Sequence, residues 1–256
     1  MRRTLFGAAL VCMVRAHSPP VVHEYVQLYR VDETYAPVVR RFSVRMPIAS
    51  TDTTILCLHG NGETRQSCDE LMNTFLDFMT TESLGLVSLD AHGQEWNTDA
   101  SSEGYDDVVF IEHVVDTLVD VYGARRCILL GHSRGAFMLH RVLVASESPN
   151  IVAGIAIATQ LPESLFQNDT FVLGTSTRTI APRSLVMLLG EKDYLVRNEY
   201  TPISSIPSMQ LAMLTVSASA HAYAIAYNDE SPSHISPATI HNGAYSVYYP
   251  NVEAHV

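Results

Sequence analysis

The sequence predicts an α/β fold, a doubly wound and mostly parallel sheet with an N-terminal antiparallel strand pair, and three observations carry that expectation. From residue 54 onward, short apolar runs recur at the ends of which glycine or a polar turn follows: TILCLHG, LGLVSLDAHG, CILLGHSRG, IVAGIAIAT and SLVMLLGEKD. Segments with helical periodicity lie between them. Ahead of them, residues 23–30 and 39–46 alternate in period two.

In the first pair, Phe42, Val44 and Met46 oppose Arg41, Ser43 and Arg45, so the strands should have one wet face and end at Pro47. The later runs do not alternate. Uninterrupted apolar strands suit a parallel sheet covered on both faces. Between them, Val108, Ile111, Val115, Leu118 and Tyr122 repeat at spacings of three and four, with Asp106 or Asp107 to cap the start and Gly123 to end the helix. Leu71, Phe75 and Met79 outline a helix before the second run, and residues 134–147 supply one directly after Ser133. Strands alternating with helices imply right-handed crossovers and an open sheet.

The chain has 256 residues and 47% apolar side chains, enough for one domain with a full core, over residues 17–256. With 27 acidic and 16 basic side chains the formal charge is −11, which works against nucleic-acid or anionic-lipid partners. Residues 1–16 read as a signal peptide: Met1-Arg2-Arg3, the apolar run Leu5 to Val14, then Val14 and Ala16 at the positions before a cleavage site. The run is shorter than the about 20 residues a membrane span needs. The expected location is therefore extracellular. Removal of the signal would take Cys12 with it and leave Cys57, Cys68 and Cys127, an odd number. If their strands run parallel, Cys57 and Cys127 are offset by about four residues, or about 13 Å, beyond bridging reach. Both are expected to be buried thiols. The sequon Asn168-Asp169-Thr170 is compatible with secretion.

The chemistry concentrates at Gly131-His132-Ser133-Arg134-Gly135, where the strand CILL meets a turn and a helix begins at once. A serine on such a turn is held on a strained backbone with its hydroxyl exposed above the sheet, the nucleophile elbow of an α/β-hydrolase. An attacked ester carbonyl needs two N–H donors for its developing charge. The residue after the nucleophile, Arg134, supplies one. The loop His59-Gly60-Asn61-Gly62 supplies the other, from Asn61 or alternatively Gly62. His59 precedes the serine, whereas this fold orders its triad serine, acid, histidine, so His59 is read as structural. Glu191 or Asp193, just past the run SLVMLLG, can provide the acid that fixes the imidazole tautomer.

The stretches LHGNGET, LDAHGQEWN, GYDDVVFIEHVVDTLVDVYGARRCILLGHSRGAFMLHRVL and LLGEKDYLV resemble the secreted esterase family that includes polyhydroxybutyrate depolymerases and feruloyl or acetyl xylan esterases. The third stretch is the most specific, because an Asp-Asp pair opens the long helix leading into the elbow strand. The resemblance implies hydrolysis of polymeric or aromatic carboxylic esters with no cofactor and no metal, and it favours Asp193 over Glu191 as the acid. Two departures stand out. Arg134 replaces the small or amide residue usual after the nucleophile. In the family, a stretch like residues 208–228 forms a helix, and a strand and a segment bearing the catalytic histidine follow it. Here the sequence reaches YYPNVEAHV about where that strand should begin.

Four histidines follow Asp193: His221 in the expected helix, His234 and His241 in a Ser/Pro-rich stretch, and His255. By chain order His255 is the candidate base, although a position one residue from the terminus invites fraying. The expected activity is that of a serine esterase with Ser133, Asp193 and His255 as its triad. The alternative is a relative, impaired or truncated, that binds esters without turning them over.

Overall fold

The computed structural model describes residues 20–31, 34–48, 51–98, 105–190, 193, 212–228, 239–241 and 244–246. The proposed signal peptide, Glu191, His234 and His255 lie outside the described residues.

The antiparallel pair forms as β1 (Val21–Val31) and β2 (Thr34–Arg45), in continuous register from Val21↔Val44 to Val31↔Thr34. The second strand begins five residues before the alternation suggested, passing through Pro37. A proline is tolerated there because only Phe42 to Arg45 of β2 pair with a second neighbour, so at Pro37 one side of the strand is open. The outer face differs from the expected wet one. Glu24 and Arg41 pair across it at 2.8 Å, but Val26, Leu28 and Val39 are also exposed. On the inner face, Arg40 shares the parity of Phe42 and Val44 and is buried with them.

The five apolar runs all become strands: β3 (Thr53–Leu58), β4 (Gly85–Leu89), β5 (Arg126–His132), β6 (Ile151–Ile157) and β10 (Ser184–Leu188). With the first pair they make one sheet in the order β1-β2-β4-β3-β5-β6-β10, parallel from β4 onward. The chain goes from β3 to β4 on one side, then crosses back to place β5 on the other side of β3. That reversal puts a crevice outside the carboxyl ends of β3 and β5, where ligands of open α/β sheets bind.

Helices cover the sheet unequally. One face, with Phe42, Val44, Leu56, Leu58, Val87, Leu89 and Leu129, is buried beneath α3 (Asp107–Tyr122) and α4 (Arg134–Ala145). Helix α3 follows its sequence signals closely. The Asp106 carboxylate accepts from the Val108 amide at 2.9 Å, and Gly123 closes the helix in the left-handed conformation at φ 71°. The other face packs Ile55, Cys57, Leu86 and Leu130 against α1 (Arg65–Asn73) and α2 (Leu76–Thr81). The single helix expected through Leu71, Phe75 and Met79 is thus two. Thr74 turns its hydroxyl onto the Leu71 carbonyl at 2.6 Å, competing with the helical ladder, and Phe75 is left exposed. Beyond these helices the same sheet face continues through Ile155 and Ile157 to Val186 and Leu188, which are each 49% exposed.

Between β6 and β10 the chain makes a small antiparallel meander of β7 (Phe166–Gln167), β8 (Thr170–Leu173) and β9 (Ser176–Arg178). Asn168 and Asp169, both at positive φ, form its first turn, so the sequon sits exposed at a hairpin tip. Of the helix implied for the 208–228 stretch, Val216–Asn228 forms as α5, while residues 212–215 ahead of it are not helical; α5 docks through Tyr223 against His140 of α4, ring nitrogen to hydroxyl at 2.9 Å. Two short paired strands, β11 (Thr239–His241) and β12 (Ala244–Ser246), follow.

Cysteine chemistry requires a correction. Cys57 is not a buried thiol but is joined to Cys68 of α1, a pairing set by how α1 docks on β3. Cys57 and Cys127 are indeed apart: Cys57 faces Leu130, and Cys127 faces Thr54, three residues away rather than four. Among the described residues Cys127 is the free, buried thiol, and burial pushes its pKa up to about 12.

Candidate active site

Strand β5 ends at His132, and Ser133 is the residue between strand and helix, at φ 52° and ψ −118°. A non-glycine residue there costs roughly 1–3 kcal/mol and persists only when its surroundings over-determine it. They do. The Ser133 amide donates to the Ile157 carbonyl at 2.9 Å, and its own carbonyl accepts from the Ala136 amide at 2.9 Å, the Phe137 amide at 3.2 Å and the Thr159 hydroxyl at 2.9 Å. Both flanking glycines are required by contact. A Cβ on Gly131 would lie 2.5 Å from the Gly135 carbonyl oxygen, and one on Gly135 would collide with the carbonyl oxygens of Leu58 and His59. Helix α4 therefore rests directly on the end of β3, which brings the loop after β3 beside Ser133.

That loop is fixed from within. Buried His59 donates from Nδ1 to the Gly60 carbonyl at 2.7 Å and accepts at Nε2 from the Ala91 amide at 3.1 Å, while the Trp96 indole donates to the His59 carbonyl at 2.9 Å. Since the Ala91 amide can only donate, the ring is neutral with its proton on Nδ1. Burial, opposed by the bond to Gly60, lowers its pKa and keeps it so. His59 is structural, as its place in the chain suggested. The Gly60 amide is engaged by the Glu63 carboxylate at 2.8 Å, and the Gly62 amide by the Gln94 carbonyl at 3.1 Å. Of the three amides in this turn, that of Asn61 has no hydrogen-bond partner among the described residues. Arg134 is the first residue of α4, where an amide has no carbonyl four residues back to bond.

The opposite wall is the segment after β4, and here the sequence reading missed the organising residues. Asp107 accepts from the Asn97 amide at 2.6 Å and pairs with Arg40, both side chains fully buried. Burial raises the Asp107 pKa against the pull of Arg40. The Arg40 guanidinium also lies 4.1 Å from the Phe110 ring centre. Asp106, beyond capping α3, pairs with Arg141 at 3.0 Å, and Arg141 donates onward to the Asn97 carbonyl. The Asp-Asp pair that begins α3 thus also clamps the wall of the site. The signal for Arg40 lay in its parity with Phe42. Arg183, buried with its guanidinium on the Ile151, Leu143 and Ser146 carbonyls at 2.8–2.9 Å, secures the far end of α4 and had no sequence signal.

Asp193 lies beyond the carboxyl end of β10, its amide donating to the Gly190 carbonyl at 3.1 Å. Parallel register puts the ends of β3, β5, β6 and β10 along one edge, so Asn61, Ser133, Arg134 and Asp193 all follow strands on that edge. The histidines are a different matter. Among the described residues the Ser133 hydroxyl has no hydrogen-bond partner, His221 is exposed on α5, and His241 ends β11. The shallow hollow lined by Thr51, Asp52, Thr53, Glu82 and Ser83 is at the opposite, amino-terminal end of β3 and plays no part in this arrangement. Among the described residues no helix is long and apolar enough to cross a membrane.

No curated protein matches the sequence. Among solved structures the chain is similar to an esterase from Pyrococcus furiosus, at 20% identity over 55% of this chain and 52% of that one with a TM-score of 0.35. It is similar to a cold-adapted esterase from an Arctic intertidal metagenomic library, at 16% identity over 54% and 62% with a TM-score of 0.39. A third is the S-formylglutathione hydrolase of Staphylococcus aureus, at 12% identity over 54% and 57% with a TM-score of 0.39. The chain spans 52% to 62% of the length of these structures. At the level of sequence, residues 55–235, from β3 through the elbow and past α5, match the Alpha/beta hydrolase family, and with the strand order and the Ser133 turn already described, the chain belongs to that family.

Proposed function

We propose that this chain is a secreted serine carboxylic-ester hydrolase that works through an acyl-enzyme on polymeric or aromatic esters of the polyhydroxyalkanoate or feruloyl and acetyl xylan type. The observation that carries the reading is the strained, over-determined Ser133 backbone beside the Asn61 turn, since such strain is retained where function needs it. The Ser133 oxygen attacks the ester carbonyl and passes its proton to the base, for which chain order assigns His255. The amides of Asn61 and Arg134 take up the charge on the carbonyl oxygen. The alcohol leaves with the base's proton, and water then hydrolyses the acyl-enzyme, with Asp193 orienting the imidazole. The Cys57–Cys68 bridge supports an oxidising compartment, as the proposed signal peptide would deliver.

Purified protein should hydrolyse a 4-nitrophenyl ester, and Ser133→Ala should remove nearly all of that rate. Equal rates in the two proteins would exclude Ser133 from the mechanism.

A second reading is a protein that binds esters without turnover. Binding of an aromatic ester without release of its alcohol would support it. Steady turnover abolished by His255→Ala would count against it.

A further inference from the structure

Three arginines near the carboxyl edge of the sheet are neutralised. Arg40 pairs with Asp107, Arg65 with Asp90 and Arg141 with Asp106. Arg134 makes no ion pair among the described residues. Its Nε donates to the Trp96 carbonyl at 3.2 Å, which fixes the guanidinium at the wall of the site. Trp96 is itself locked, fully buried with its indole on the His59 carbonyl. The two terminal nitrogens of a half-buried guanidinium, one residue after Ser133, therefore have donors to offer and no carboxylate among the described residues to receive them. In a chain of formal charge −11, a cation without a carboxylate partner among the described residues favours an anionic group at this point. A planar guanidinium held by its Nε presents its remaining edge as a fork that matches a carboxylate.

Resting on the hydrolase reading of the same site, we propose that Arg134 is a specificity-determining residue that binds a carboxylate carried by the substrate, so that the preferred esters are anionic. The carboxylate can belong to the acyl half or to the alcohol half of the ester. In either case it docks on the Arg134 side chain while the Arg134 backbone amide faces the reacting carbonyl.

The test compares matched pairs of esters. For the acyl half, mono-4-nitrophenyl glutarate is set against 4-nitrophenyl valerate; for the alcohol half, 4-carboxyphenyl butyrate against 4-carbamoylphenyl butyrate. Wild type should favour the anionic member of at least one pair by about tenfold or more in kcat/KM, the scale of a charge-assisted hydrogen bond. The preference should collapse in Arg134→Gln, be partly retained in Arg134→Lys, and weaken with added salt in wild type. The pair that shows it identifies the half carrying the charge. A wild-type ratio near one in both pairs, or a ratio unchanged in Arg134→Gln, overturns the proposal. Binding of monomethyl glutarate, measured by calorimetry on wild type and on Arg134→Gln, gives a readout independent of turnover. Binding lost in the variant without any ester hydrolysis in wild type sinks the hydrolase reading and upholds the Arg134 site. Hydrolysis without Arg134-dependent binding or preference does the reverse.

Discussion

The carbonyl oxygen of Leu58 occupies the space into which a side chain on Gly135 would project. One contact thereby sets the distance between the loop bearing Asn61 and the turn bearing Ser133. Gly135→Ala must push α4 off the end of β3, because the obstructing atoms are backbone. Overpacking of this kind costs about 1–3 kcal/mol. The variant should melt at lower temperature and lose most ester hydrolysis; wild-type values for both would mean that helix and strand can separate without consequence.

Ser133→Gly should do the opposite to stability. Glycine adopts positive φ without the steric cost borne by serine. The variant is expected to gain about 1–3 kcal/mol in urea unfolding while losing hydrolysis. A less stable variant would show that the turn is not strained.

His140 makes stability sensitive to acid. Burial, opposed by the Thr159 backbone, lowers its pKa from 6.5 to about 3 in the fold. In the unfolded chain the ring protonates near 6.5. Between those values the unfolded state holds a proton that the folded state refuses, so stability is full above pH 6.5 and is lost progressively as pH falls toward 3. The contribution reaches roughly 4–5 kcal/mol at the acid limit. Denaturant titrations across this range should show a steeper fall for wild type than for His140→Phe. Parallel curves would remove His140 as the cause.

The Cys57–Cys68 bridge closes a short loop around the Asn61 turn, and restricting such a loop in the unfolded state is worth about 2–3 kcal/mol. Cys57→Ala with Cys68→Ala should lower the urea midpoint accordingly and raise KM more than it alters the global fold seen by circular dichroism. An unchanged midpoint in oxidised protein would show that packing alone holds α1 to β3.

How far the sequence revealed the site depends on the range over which each signal acts. Helix α3 was legible end to end because its cap, periodicity and terminal glycine are local. The elbow was legible because both glycines lie within five residues of each other. Asn61 was already the first candidate from the sequence, but the Gln94 carbonyl, which engages the Gly62 amide from another loop, was not legible there. The Cys57–Cys68 bridge, the Asp107–Arg40 pair and the carbonyl cluster around Arg183 all join elements brought together only by packing. Arg40 is the instructive case: its position in the alternation marked it as inward-facing, and only burial of a partner, Asp107, makes an inward arginine tolerable.

Arg65 is the only lysine or arginine between Cys57 and Cys68. A trypsin cut there would divide the chain in two, yet the bridge would remain as a second covalent route from β3 to α1. The two pieces would migrate as one until reduced. The turn carrying Asn61 can thus be severed at Arg65 without being released from the strand beneath it.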